Sequence, residues 1–321
     1  MTTMIPLQRS RVDHFGDHSS GHLSTHALDV DDRLLVELKN TQGELSPLFC
    51  IHPSGGDVGV YRKLARRLNR ERPVVGIQSK LMLGAKEEFD SIKRMARAYT
   101  HLIDKRYPSG PIQLLGFSFG GFVATQISNE FQKLNREVSF LGLVDSDLGW
   151  LQSDRSGRDE LVIRLGQLCE KFQEVGLIEP IPETESAGNI NKIVDQFLDR
   201  ETLSLSEIME DVRERGLVIR TESGAEALGK FVFSFVSHCR LLQKFRPQEF
   251  DAPTFAWWPS EAAEKADSRA RSRDWQTYSI RSIAETTLEG SHYTVMRMPT
   301  ARILAEQIEA ALSGQPTANA N

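Results

Sequence analysis

One serine stands between glycines directly after an apolar run, in the segment LLGFSFGG that covers residues 114–121. Residues 116–120 fit G-x-S-x-G, a pattern that holds a nucleophilic serine on a sharp turn between a strand and a helix. Taken alone, five such residues are also typical of an ordinary glycine-rich loop. Here an apolar strand-like run precedes the serine and an amphipathic helical pattern follows it, so we predict that Ser118 is a nucleophile.

A serine hydroxyl needs a base to take its proton, and the base should lie late in the chain. Two histidines, His238 and His292, follow Ser118 in the sequence. His238 falls within the apolar helical stretch FVFSFVSHCRLL, which is more typical of a core or lid histidine. His292 follows a strand pattern and precedes the final helix, on a loop that can reach the carboxyl edge of a sheet. We therefore predict that His292 is the base.

Three carboxylates are candidates for the acid that orients this histidine. Asp145 ends the strand-like run FLGLVD, one strand and helix beyond Ser118, whereas Glu261 lies in a polar loop after a later strand. Asp147 is also within reach, although it is equally typical of a turn before Gly149. We favour Asp145 because the end of a buried strand beside the serine turn is the better placed of these positions.

An oxyanion formed during acyl transfer needs backbone N–H donors. The first candidate donor is the N–H of Phe119, at the start of the helix that follows the serine. The second is expected in the loop HPSGGDVG after the first parallel strand, from Ser54 or Gly55, although a plain strand-to-helix turn has the same composition.

Short apolar runs alternate with amphipathic helical patterns from residue 46 onward, as in a parallel sheet covered on both faces. The runs lie at 48–51, 74–77, 112–117 and 140–144. After Asp145 the sequence turns helix-like to about residue 240, strand patterns return at 252–258 and 283–290, and a last helix begins beyond Pro299 with Thr300 as its N-cap. We predict one α/β domain: a mostly parallel twisted sheet flanked by helices, with a helical insertion late in the sheet.

Composition limits the classes of partner. The formal net charge is −5 without a basic stripe, which argues against nucleic acid or an anionic membrane as the main partner. No apolar run approaches the roughly 18 residues of a membrane helix, and the N-terminus lacks the apolar core of a signal peptide. We expect a cytoplasmic protein, with its three cysteines reduced.

The first thirty residues are polar, and we expect residues 1–30 to be a tail or linker and 31–321 to be one domain with its lid at about 150–240. Histidine recurs at every fourth position of this tail, as His14, His18, His22 and His26. On a helix they would form a metal-binding face, but the intervening glycines and serines disfavour that helix, so we predict no metal site.

Over residues 46–312 the sequence resembles the thioesterase domains of the α/β-hydrolase superfamily that end polyketide and nonribosomal peptide assembly lines. The resemblance rests on LFCIHPSGG with YRKLARRL, SIKRMARAYTHLI, GPIQLLGFSFGG, LVDSD and GSHYTVM. It implies a triad of Ser118, Asp145 and His292 and a helical lid. It also implies a thioester substrate carried on the phosphopantetheine arm of an acyl or peptidyl carrier domain, an acyl-enzyme on Ser118, and no cofactor of the enzyme's own.

Several alternatives stay open on the sequence. An editing thioesterase would use the same triad on short or stalled acyl groups, and a generic carboxylesterase would prefer oxygen esters. A non-catalytic relative acting as a binding module is disfavoured by the complete set of serine, acid, histidine and glycine loops. About 45 residues precede the first core strand and lack the helices and serine motif of a carrier, so we expect either a free-standing enzyme or the end of a larger one.

Overall fold

The structure is a computed structural model, and it describes residues 32–41, 43–151, 222–261 and 275–314. These residues form a sheet of seven strands in the order β1-β3-β2-β4-β5-β6-β7. The strands are β1 Leu35–Lys39, β2 Leu48–Ile51, β3 Val74–Ile77, β4 Ile112–Phe117, β5 Val138–Val144, β6 Thr254–Pro259 and β7 Ile283–Leu288. Strand β1 pairs antiparallel with β3, and all other neighbours are parallel. The carboxyl ends of β2 to β7 therefore share one edge.

Helices cover both faces of this sheet. They are α1 Arg62–Ala65, α2 Ile92–Arg106, α3 Phe119–Lys133, α4 Glu222–Lys244 and α5 Thr300–Leu312, with short 3-10 turns at Asp32–Leu34, Gly59–Tyr61, Lys80–Leu83 and Leu148–Leu151. Apolar residues of α2, α3 and α4 form the core on one face, and those of α1 and α5 form the core on the other. Strands β2, β3 and β4 are buried at every position, which explains why they appear in the sequence as continuous apolar runs.

The predicted α/β-hydrolase architecture is confirmed, since the sheet is mostly parallel and flanked by helices. The runs predicted at 48–51, 74–77 and 112–117 coincide with β2, β3 and β4. Part of the predicted helical insertion is present as α4, between β5 and β6. The rest of the predicted lid, the tail at 1–30 and its four histidines lie outside the described residues.

Two details of the sequence interpretation were wrong. Strand β1 was not predicted, because its five residues are only partly buried at the sheet edge and lack a continuous apolar run. Thr300 is the first residue of α5 and not its N-cap; Pro299 precedes the helix, and the Thr300 hydroxyl donates to the carbonyl of Glu289 at 3.1 Å. Threonine is a common N-cap residue, so the sequence favoured a cap at this position. In the structure its hydroxyl instead links the start of α5 to the residue after β7.

Candidate active site

Ser118 occupies the turn between β4 and α3, with backbone angles φ 55° and ψ −126°. A non-glycine residue rarely adopts positive φ, and such strain is typical of a nucleophile raised above the edge of a sheet. The neighbouring glycines are required by close backbone approach. A Cβ at Gly116 would overlap the backbone of Gly120 and Gly121, and one at Gly120 would overlap the Ile51 carbonyl. The turn is therefore too tight for larger residues.

His292 and Asp145 lie in direct contact at the same edge of the sheet. Nδ1 of His292 is 2.6 Å from Oδ2 of Asp145, and both side chains are almost wholly buried. Asp145 follows β5 directly, with φ 44°, and its N–H donates to the Trp257 carbonyl at 2.9 Å. Because a carboxylate only accepts, Nδ1 carries the proton, and Nε2 is the basic nitrogen of the neutral ring.

The other two candidate acids lie elsewhere. Asp147 is buried, and its Oδ1 accepts from the N–H of Gly149 at 2.8 Å, as expected of a turn residue. Glu261 is exposed after β6, where its backbone N–H donates to the Gly290 carbonyl at 3.1 Å. The carboxylate that faces the His292 ring is thus the one at the end of β5.

The hydroxyl of Ser118 is buried and forms no hydrogen bond to the part of the chain that the structure describes. The His292 ring stacks on Phe117, the residue before this serine, with ring centroids 4.9 Å apart. The histidine therefore lies over the strand that presents the serine, without a Ser118–His292 hydrogen bond. Such bonds are often long before substrate binds and shorten in the reacting complex.

Both candidate oxyanion segments border the serine turn. Phe119 is the first residue of α3, where a backbone N–H has no partner within the helix. The loop that contains Ser54 and Gly55 follows β2, the neighbour of β4 in the sheet. A Cβ at Gly120 would overlap the carbonyls of Ile51 and His52, so the start of this loop touches the start of α3.

Two positioning residues were missed by the sequence analysis. The hydroxyl of Tyr61 accepts from the N–H of Phe117 at 2.8 Å and donates to the Ile51 carbonyl at 2.7 Å, so it bridges the ends of β4 and β2. The hydroxyl of Ser146 donates to the Ser118 carbonyl at 2.9 Å. Both lie within motifs that carry the resemblance, YRKLARRL and LVDSD, but their partners are too distant in the chain for spacing to reveal.

His238 was interpreted as a core or lid histidine, and it lies on α4 with its side chain completely buried. Its ring contacts the loop after β2, where Nδ1 is 2.6 Å from the Ser54 carbonyl oxygen, and Nε2 is 2.9 Å from Oε2 of Glu88. His238 thus contacts the loop after β2 and forms no hydrogen bond to the Ser118 hydroxyl.

A cavity of about 490 Å³ opens beside His292. Three of its lining residues are cationic: Arg62, Lys63 and Arg297; the lining also includes Asp57, Phe117, Tyr293 and Met296. Positive charge therefore predominates along one approach to the histidine. Among the residues that the structure describes, no cluster of three or more histidine, cysteine or carboxylate groups is suited to a metal ion.

A strained serine after a parallel strand, a histidine late in the chain and a buried acid define the α/β-hydrolase class. A family model described as "Thioesterase domain" matches residues 46–312, so the chain belongs to the thioesterase domain family. Within the described ranges, no helix has the length and apolar character needed to cross a bilayer.

Curated relatives are large synthetases. The chain is 38% identical over 120 residues to malpibaldin synthetase of Mortierella alpina, which covers 37% of this chain and 2% of that protein. It is 28% identical over 170 residues to the nonribosomal peptide synthetase pngA of Aspergillus terreus, and this match covers 52% of this chain and 18% of that protein. It is 36% identical over 124 residues to the dimodular nonribosomal peptide synthase of Bacillus subtilis, and this match covers 38% of this chain and 5% of that protein. The chain thus spans less than a fifth of each of these relatives.

Solved structures share the fold. The NocB thioesterase domain from the nocardicin cluster aligns with a TM-score of 0.61 at 18% identity, covering 88% of this chain and 100% of that one. The same domain in covalent complex with a fluorophosphonate nocardicin G analogue aligns with a TM-score of 0.57 at 18% identity, covering 87% and 99%. The shared fold therefore covers most of this chain.

Proposed function

We propose that the protein is a serine thioesterase that releases a peptide or polyketide chain from the phosphopantetheine thioester of a carrier domain. The observation that carries this proposal is the 2.6 Å contact between Asp145 and His292 at the sheet edge that also presents Ser118 on its strained turn. Family membership supports thioester chemistry, and the names of the relatives favour a peptide over a polyketide chain.

In the proposed mechanism, Oγ of Ser118 attacks the thioester carbonyl carbon while Nε2 of His292 takes the hydroxyl proton. Asp145 accepts from Nδ1–H, which fixes the tautomer and stabilises the imidazolium that forms. The N–H of Phe119, with that of Ser54 or Gly55, stabilises the oxyanion. The C–S bond then breaks, and His292 returns the proton to the leaving thiol.

The acyl-enzyme on Ser118 is released by a second nucleophile. Water, or a hydroxyl or amine of the acyl chain itself, loses its proton to His292 as it attacks the ester carbonyl, and the serine regains that proton. Water gives a free acid and an internal nucleophile gives a ring. All proton transfers use side chains of this chain, so the proposal includes no cofactor.

The partner in this proposal is an acyl or peptidyl carrier domain. Its phosphopantetheine arm carries a phosphate, and the cavity beside His292 offers Arg62, Lys63 and Arg297 for an anionic group. The large synthetases among the relatives are consistent with such a partner. The cytoplasmic location stays a prediction from the sequence.

The proposal is tested with Ser118→Ala and a fluorophosphonate probe, which labels active serines covalently. We expect wild type to be labelled and to hydrolyse or cyclise pantetheine thioesters, and Ser118→Ala to lose both reactions. The exposed Ser109 provides a matched control, and Ser109→Ala should react like wild type. Labelling of Ser118→Ala, seen by mass spectrometry, would contradict the nucleophile assignment. A preference for oxygen esters over thioesters would favour a carboxylesterase.

The acid is tested separately. Asp145→Asn should lower kcat by up to ~10⁴-fold, because the amide holds the wrong tautomer of the histidine. Glu261→Gln, at an exposed position, is the matched control and should remain active. A larger loss in Glu261→Gln than in Asp145→Asn would move the acid to the strand after β5.

A further inference from the structure

One face of α4 lies against the loop after β2. A Cβ at Gly55 would overlap the ring of Phe231, and Nδ1 of His238 reaches the carbonyl oxygen of Ser54 at 2.6 Å. Phe231 and His238 are seven residues apart, so they lie on the same face of the helix. A helix from the insertion therefore contacts the loop in which the second oxyanion donor is expected.

The hydrogen bonds of His238 determine its charge. The carbonyl oxygen of Ser54 can only accept, and a carboxylate oxygen of Glu88 also only accepts. Where Glu88 is ionised, both ring nitrogens of His238 must therefore donate, at 2.6 Å and 2.9 Å, which requires the doubly protonated imidazolium. The side chains of His238 and Glu88 are 0% and 4% exposed, so the charges form a buried ion pair.

The surroundings of Glu88 are those of an ionised carboxylate. Its Oε2 accepts from the hydroxyl of Ser79 at 2.5 Å as well as from His238, and its Oε1 accepts from the N–H of Phe89 at 3.0 Å. Burial alone would raise the pKa of Glu88, but the hydrogen bond and charge of His238, with the bond from Ser79, outweigh it and lower the pKa to about 2.

The remaining titratable groups of this cluster are neutral. His52 lies 4.8 Å from His238 between ring centroids, and its pKa is lowered to about 3, first by burial and then by the charge of His238. Its Nδ1 lies 2.9 Å from the Pro53 carbonyl and its Nε2 lies 2.9 Å from the hydroxyl of Tyr99, as expected for a neutral ring that donates once and accepts once. Burial raises the pKa of Tyr99.

We propose that His238, held as an imidazolium by Glu88, polarises the peptide group between Ser54 and Gly55 and so makes the Gly55 N–H the second oxyanion donor. The carbonyl of Ser54 and the N–H of Gly55 belong to one planar trans peptide and point in opposite directions. A cation on the carbonyl oxygen strengthens the N–H as a donor, because hydrogen bonds in a chain polarise one another. This inference rests on the proposed function and selects between the two donors that the sequence left open.

The same cluster also contacts the first oxyanion segment. The ring of Phe119 stacks on His238 with centroids 4.6 Å apart and on His52 with centroids 5.7 Å apart. A single buried group of rings thus supports both backbone segments that are proposed to bind the oxyanion. His238 is a positioning residue in this scheme, since it acts through the peptide and not on the substrate.

The first test measures reactivity with a fluorophosphonate probe, whose phosphoryl oxygen occupies the oxyanion site whatever the natural acyl group. His238→Gln and Glu88→Gln remove the charge pair, and the exposed His101→Gln and Glu87→Gln are matched controls. Loss of an oxyanion donor costs ~10²–10³-fold. Cooperativity strengthens a hydrogen bond by about 10–30%, so loss of the polarising partner should cost less, about two- to eightfold in the labelling rate and in kcat with KM unchanged.

Non-additivity separates this role from simple stabilisation of the fold. If the two residues act as one charged unit, the double variant His238→Gln with Glu88→Gln should lose no more labelling rate than His238→Gln alone. Labelling rates are compared only among variants whose unfolding transitions show that they are folded at the assay temperature. Wild-type labelling by folded His238→Gln would overturn the role of His238 while leaving the hydrolase function intact. An unreactive wild type would instead overturn the hydrolase function, and this role with it.

The second test needs no variant to be active. Nitrogen-15 NMR of wild-type protein labelled in its histidines should show at neutral pH one buried ring with protons on both nitrogens, and this signal should vanish in His238→Gln and persist in His101→Gln. A neutral ring at His238 would overturn the proposal, because a neutral imidazole cannot donate to both of its partners.

Discussion

A methyl group added at Gly55 tests whether the spacing between α4 and the loop after β2 matters for catalysis. The new Cβ would lie 2.8 Å from Cδ2 of Phe231 and closer still to its Cε2. Carbon atoms in ordinary contact are ~3.5 Å apart or more, so the loop and the ring must separate by at least about 0.7 Å. Displacements near 1 Å in a catalytic site cost ~10²-fold in rate, so we expect Gly55→Ala to lower kcat/KM by about that factor.

The assay is steady-state hydrolysis of a pantetheine thioester, measured in a double-mutant cycle with Phe231→Ala. Truncating the ring removes the atoms that the new methyl group would meet, so Gly55→Ala should cost much less in the Phe231→Ala background than in wild type. An equal loss in both backgrounds would refute the steric argument. Wild-type kcat/KM in Gly55→Ala would refute the role of the loop itself.

Three further predictions concern the approach to the site, the histidine cluster and the strand ends. Arg62→Gln should raise KM for a phosphopantetheine thioester but not for an N-acetylcysteamine thioester, which lacks the phosphate. Arg66→Gln, at an exposed position, is the control and should change neither KM. Equal effects of Arg62→Gln on both thioesters would contradict phosphate binding. Burial lowers the pKa of His52 to about 3, so the folded state favours the neutral ring. The free energy of unfolding is therefore greatest above the unfolded pKa near 6.5 and decreases as the pH falls below it. Between pH 7 and pH 5 the free energy of unfolding from urea titrations should fall by about 2 kcal/mol more in wild type than in His52→Asn, and parallel pH profiles would contradict this. Tyr61→Phe removes both hydrogen bonds between this hydroxyl and buried backbone groups and should lower the free energy of unfolding by ~2 kcal/mol, against a small change for the half-buried Tyr107→Phe. Equal changes in the two variants would mean that the bridge is unimportant.

The sequence alone determined the local parts of this protein. Strands β2, β3 and β4 were predicted to the residue, because a strand covered on both faces must be apolar throughout. Ser118 was identifiable because a turn too tight for a Cβ requires glycines at fixed positions around it. These features depend on neighbours within a few residues, so composition and spacing record them directly.

Only the tertiary structure decided which distant side chains meet. The choice of Asp145 over Glu261 as the partner of His292 depends on which strand ends face the final loop, and both acids follow apolar strands in the sequence. The pairing of His238 with Glu88 joins residues 150 positions apart, and the pattern around His238 indicates no more than a buried helix. Its charge follows from the fact that both of its partners are acceptors, and no local pattern contains that information because the acceptors lie on two other segments of the chain.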